Sequence, residues 1–171
     1  MKKTVFLMAA LFVFGVYAQE KEVLSEQNFE TVKWFKNPAC KKLDGGGDHE
    51  LVTGGQKGRC LKITTNSKQI FMLNLSKGIP VRDGAKIRIE LTAKGKGTIG
   101  LVPMGITDKG ESVYLNDEGK EKINADNWEK IPFIIRFKDQ KGRNLTMFKM
   151  RLNFEKNSVL FVDNFKVTEV K

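Results

Sequence analysis

The sequence predicts an all-β fold, an antiparallel β-sandwich or jelly roll of about ten strands. Two observations carry that expectation. Apolar residues recur at every second position in one segment after another, and glycine-rich or charged turns separate the segments. No stretch sustains the apolar period of a helix.

Three strands are the clearest. "AKIRIELTA" sets Ile87, Ile89 and Leu91 on one face and Lys86, Arg88 and Glu90 on the other. "IPFIIRFK" alternates Ile131, Phe133, Ile135 and Phe137 with outward residues that include Arg136 and Lys138. "FKMRLNF" alternates Phe148, Met150, Leu152 and Phe154 with Lys149, Arg151 and Asn153. Further strands are expected at 28–35, 50–53, 60–64, 70–75, 99–106 and 113–115. Turn signals fall between them: "DGGGD", "TGGQKG", "RDG", "KGKG", "TDKGE" and "NDEGK".

Two segments break the simple pattern. In "TIGLVPMGI" both faces are apolar or small, so Val102 and Met104 either lie under a loop or floor a groove. The closing "SVLFVDNFKV" reads as a core strand with Val159, Phe161, Phe165 and Val167 in phase, yet Asp163 falls in phase with them. An unpaired buried carboxylate is too costly to keep, so Asp163 requires a partner.

The first residues read as an export signal over 1–18. Lys2 and Lys3 precede an apolar run too short to span a bilayer comfortably, and Val16 and Ala18 are the small residues of a cleavage site before Gln19. The remainder, 19–171, is expected to form a single domain, because no linker, repeat or low-complexity segment divides it. The chain carries a formal charge of +10, of which the signal contributes only two lysines. A basic exported domain favours anionic partners such as acidic glycans or envelope surfaces, with nucleic acid last among them. Its two cysteines, Cys40 and Cys60, are expected to form a disulfide in an oxidising compartment. One histidine, His49, and no zinc-ligand spacing argue against a zinc site.

"QNFETVKWF", "DNWEKIPFIIRF" and "SVLFVDNFKVTEV", in this order and spacing, resemble the carbohydrate-binding modules of the family 4/9 type, within the galactose-binding-domain-like jelly rolls. The resemblance spans about 24–170. It implies a structural calcium held between an acidic residue near the first strand and an aspartate in the last, here Glu30 and Asp163. Calcium takes six to eight oxygen ligands, and two carboxylates would neutralise it. The alternative is that Asp163 accepts backbone amides or pairs with a lysine and needs no metal. The resemblance also places Trp128 among the packing residues, whereas Trp34 either packs or projects towards a ligand.

The expected function is non-catalytic binding of a polysaccharide or of an acidic or hydroxyl-dense glycan. Sugar recognition needs apolar platforms for pyranose faces and planar polar groups for hydroxyls. The candidate ligand-binding residues are Arg88, Glu90, Met104, Arg136, Arg151, Asn153 and Trp34, expected to converge on one surface. A separate glycan-degrading enzyme is an expected partner. The competing reading is an envelope-associated interaction protein on the same fold without sugar binding. A third reading is a polysaccharide lyase on the same jelly roll, for which the sequence names no nucleophile–base pair or spaced carboxylate pair.

Overall fold

The computed structural model describes residues 21–27, 29–30, 47–67, 71–74, 78–115, 119–139 and 141–170. These form ten strands and no helix: β1 (Lys21–Gln27), β2 (Asp48–Thr53), β3 (Arg59–Thr64), β4 (Phe71–Asn74), β5 (Ile79–Pro80), β6 (Lys86–Thr107), β7 (Ser112–Tyr114), β8 (Gly119–Arg136), β9 (Leu145–Phe154) and β10 (Val159–Val170). Every pairing is antiparallel. The fold is an all-β, antiparallel jelly-roll sandwich, as the alternation predicts. The sequence 1–18 expected as a signal lies outside the described residues.

The organising element is β6. It runs unbroken through "KGKG", where the sequence predicts a turn between two strands. Its first part pairs with β10, from Lys86↔Val170 to Lys96↔Val159. Its last part pairs with β9, from Ile99↔Phe154 to Thr107↔Leu145. β8 follows the opposite edge of β6 from Leu101↔Gly119 to Lys86↔Arg136, with a register shift at Ala93/Gly95. The chain bends here because Gly95 has φ 108°, and a Cβ there would meet the Val159 carbonyl. A turn signal inside a long strand thus marks the corner where one half of the sandwich folds onto the other.

The inward phase is odd-numbered along all of β6: Ile87, Ile89, Leu91, Ala93, Ile99 and Leu101. These residues join Ile131, Phe133 and Ile135 of β8, and Phe148, Met150, Leu152 and Phe154 of β9, in one core cluster. Phe137 meets Phe148 edge-on at 5.9 Å. Both halves share this core, so their outward faces point to opposite sides of the sandwich.

β10 corrects the expected phase of the last strand. Leu160 and Val162 face the core, as do Phe165 and Val167, while Phe161 is half-buried and Val159 is exposed. The phase flips at a bulge between Asp163 and Lys166, where Asn164 adopts φ 45°. Asparagine tolerates this left-handed conformation better than most residues. Asp163 therefore points away from the core that it was expected to enter.

The first described strand also differs from expectation. β1 precedes "NFETVKWF", and Phe29 and Glu30 follow it outside any strand. Of the strand expected at 28–35, the other positions lie outside the described residues. β1 pairs with β10 from Lys21↔Val170 to Gln27↔Phe165, taking over the β10 edge that β3 occupies from Val159 to Val162. Among the described residues no helix is long and apolar enough to cross a membrane.

Candidate functional site

The candidate ligand residues divide between the two outward faces. Arg88, Glu90 and Arg136 lie on the half where β6 pairs with β10 and β8. Arg88 donates to Glu90 at 2.8 Å, and Lys130 lies 3.6 Å from the other Glu90 oxygen. The Arg88 hydrogen bond is the main reason that the Glu90 carboxyl titrates below its ordinary range. Arg136 lines an open groove of about 720 Å³ with Lys86, Pro132 and Ile134. Arg88 and Glu90 thus spend their charge on each other and on Lys130.

Met104, Arg151 and Asn153 lie on the opposite half. The register sets Val102 across from Arg151, Met104 across from Lys149, and Gly100 across from Asn153. On the other edge of β6, Met104 faces Tyr114, and on the far edge of β9, Asn153 faces Met72. Cross-strand neighbours on one face stand about 5 Å apart, so these side chains form a continuous strip. Convergence of Arg88, Arg136, Arg151 and Asn153 on one surface does not occur, because the bend of β6 sends the two groups to opposite faces.

This strip has a distinctive chemistry. Val102, Met104 and Ile106 are half-buried and give it an apolar floor, while Tyr114 is 62% exposed beside them. The Arg151 guanidinium rests against the Met72 sulfur at 3.6 Å. Asn153 Oδ1 is buried, and among the described residues it is the one buried side-chain oxygen or nitrogen without a hydrogen-bond partner. Such a group calls for a donor that the described residues do not supply. Gly100 keeps the floor low, with Asn153 Cβ and Lys120 Cγ each 3.7 Å from where a Cβ would stand. The role of Tyr114 was legible in "SVYL", whose alternation turns Val113 inward and Tyr114 outward. Met72 carried no comparable signal.

The expected metal pair occupies the first half. Asp163 is 2% exposed and accepts the Gln56 amide at 2.8 Å and the Asn164 amide at 2.8 Å. Glu30 accepts the Arg59 amide at 3.1 Å. The loop between those amides passes directly beneath the carboxylates: a Cβ on Gly55 would lie 2.8 Å from Asp163 Oδ2, and one on Gly58 2.6 Å from Glu30 Oε2. Thr92 Oγ1 supports the turn by donating to the Asp163 carbonyl at 2.8 Å. Among the described residues no cation pairs with either carboxylate, and no group of three or more His, Cys, Asp or Glu side chains could hold a metal.

Cys60 alternates with the inward Leu61 and Ile63 and is fully buried near this loop. Burial first, and the Asp163 carboxylate second, push its thiol above the ordinary range. The expected bridge to Cys40 is not formed in this structure, where Cys60 is a free thiol. Cys40 and Trp34 lie outside the described residues. Trp128 is half-buried and stands outside the core cluster, contrary to its expected packing role. The Lys94 ammonium lies 4.8 Å from its ring centroid and 5.5 Å from that of Phe161.

No family model matches the chain, and no curated protein matches it. Solved structures share its fold. The xylan-binding CBM22-1 domain of Paenibacillus barcinonensis Xyn10C aligns with a TM-score of 0.54 and 12% identity, over 90% of this chain and 98% of that one. The CBM22-1–GH10 modules of Clostridium thermocellum xylanase 10B, complexed with xylohexaose, align with a TM-score of 0.59 and 12% identity, over 88% of this chain and 29% of that one. The family 11 carbohydrate-binding module of Clostridium thermocellum, in complex with a β-1,3-1,4-mixed-linked tetrasaccharide, gives 0.54 and 15% over 90% and 96%. At these identities the likeness is one of fold: this chain has the jelly roll of carbohydrate-binding modules.

Proposed function

We propose that the protein is an exported, non-catalytic glycan-binding module, and that the strip of Tyr114, Met104, Arg151 and Asn153 receives the saccharide. One observation carries this reading: Asn153 Oδ1, buried and without a partner among the described residues, beside an apolar floor and an exposed tyrosine. A rotation of the Asn153 amide brings its oxygen out to a sugar hydroxyl, the tyrosine ring and Met104 cover the C–H face of a pyranose, and the Arg151 guanidinium binds ring or hydroxyl oxygens. The jelly roll that it shares with a xylan-binding module and with one held in complex with a β-1,3-1,4-mixed-linked tetrasaccharide supports the assignment, and so does the basic charge for a hydroxyl-dense or acidic ligand. Lys2, Lys3 and the apolar run after them support export. In this reading a separate glycan-degrading enzyme works on the same polymer.

Titration of the chain lacking residues 1–18 with xylan, mixed-linkage β-glucan and polygalacturonate tests the assignment. We expect binding to at least one, weakened about tenfold by Arg151→Ala. If none of the three binds, the envelope-interaction reading replaces this one.

A hard cation at Glu30 and Asp163 is supported by two carboxylates beside one glycine loop, with no cationic side chain paired to either among the described residues. We infer that calcium binds there as a structural ion, with backbone carbonyls completing the shell. Calcium at a hundredfold over its Kd would then add about 2.7 kcal/mol of stability, and Glu30→Gln would remove the gain. Identical melting curves in calcium and in chelator would exclude the ion and leave the amide network alone.

A further inference from the structure

Beyond Tyr114 the strip opens into a cleft of about 370 Å³ between β7 and the turn that follows β8, lined by Ser112, Tyr114, Lys138, Asp139, Lys141 and Arg143 among others. Its charges are unevenly spent. Asp139 is 5% exposed and accepts Arg143 Nε at 2.7 Å, Arg143 Nη2 at 3.3 Å and the Arg143 amide at 3.1 Å. The guanidinium holds the Asp139 carboxyl down at about 2, so it is ionised at neutral pH and balances Arg143. Glu111 approaches the remaining Arg143 nitrogen at 3.9 Å. Arg143 is therefore a braced wall of the cleft.

Lys138 and Lys141 are different. Both are exposed, and among the described residues neither makes an ion pair. Among the described residues the cleft thus holds two ammonium groups outside any ion pair, next to an aromatic ring that also borders the saccharide strip. Two mobile point charges suit a single anionic group that arrives on a sugar, since neither needs the fixed fork geometry of arginine.

We propose that this cleft is an anion subsite, in which Lys138 and Lys141 bind the carboxylate of a uronic acid residue while Tyr114 covers its pyranose face. The proposal rests on the glycan-binding reading and names the class of glycan: a carboxylated one. Charge-assisted contacts to exposed lysines are modest and salt-sensitive, so the subsite selects among glycans more than it tightens binding overall.

The test compares an oligogalacturonate with its fully methyl-esterified form, which is the same saccharide without the charge. Titration calorimetry is run on the wild-type chain and on the double variant Lys138→Gln, Lys141→Gln. We expect the acid to bind the wild type about tenfold more tightly than the ester, and added salt to erase that margin. The double variant should bind both forms as the wild type binds the ester. Equal affinity of the wild type for the two forms overturns the subsite, as does a margin that survives in the double variant. Binding of the acid with no affinity for any neutral glycan upholds the subsite and removes the neutral strip.

Discussion

The two ends of β6 carry similar side chains on outward positions and use them in opposite ways. At one end Arg88, Glu90 and Lys130 satisfy one another, and Asp163 and Glu30 close over a glycine loop. At the other end Arg151 leans on a thioether, Asn153 keeps a buried oxygen without a donor among the described residues, and Tyr114 stands in solvent. Outward phase alone does not distinguish them. What does is the setting: at the first end carboxylates are held by a guanidinium and by backbone amides, and at the other a buried amide oxygen lies beside an apolar floor and an exposed tyrosine.

The largest effect is expected where the first end is buried. Asp163→Ala leaves the Gln56 and Asn164 amides without their acceptor and should cost about 3 kcal/mol, read from urea denaturation. The variant that remains folded should bind glycan as the wild type does. A loss of affinity in fully folded Asp163→Ala protein would tie the two ends together and break the comparison.

The next effect sharpens the comparison directly. Arg151→Ala should lose about tenfold in glycan affinity, roughly 1.4 kcal/mol, whereas Arg88→Ala should lose none. Equal losses would mean that the ligand contacts both faces. Both ends also hold a carboxylate whose pKa is lowered by arginine, and acid should separate them. Asp139 sits at about 2 in the folded protein against about 3.9 unfolded. Its contribution is complete above the unfolded value and disappears as pH falls from about 4 towards 2. Asp139→Asn should flatten the stability profile across that window, as followed by melting at successive pH values. The smallest effect is at Glu90, which is partly exposed: Glu90→Gln should cost only about 0.5 kcal/mol in a urea titration.

The strands were legible wherever a period of two ran undisturbed. Ile87-Ile89-Leu91, Ile131-Phe133-Ile135 and Phe148-Met150-Leu152-Phe154 all point inward as the alternation predicts. The failures share a cause: irregular backbone that alternation does not encode. A bulge at Asn164 reverses the phase of β10, so Leu160 and Val162 are core and Asp163 is not. Gly95 bends β6 without ending it, so residues of equal phase finish on opposite faces. Arg151, Asn153 and Met104 therefore share one face, and Arg88, Glu90 and Arg136 lie on the other. Asp139 and Arg143 left no periodic trace, because their pairing is made by a turn rather than by a strand.

The pairing of β1 with β10 has a mechanical consequence. Lys21 lies across from Val170, so the first described strand begins and the last one finishes at the same end of one ladder. A load applied between those two points does not shear the ladder with all its hydrogen bonds sharing the force. It opens the pairs in sequence from Val170 towards Phe165, like a peeled strip. Loaded through those two points, the domain would yield at low force from the terminal strands, uncovering Val167 and then Phe165, while the β6–β9 ladder beneath Met104 and Arg151 remained unloaded.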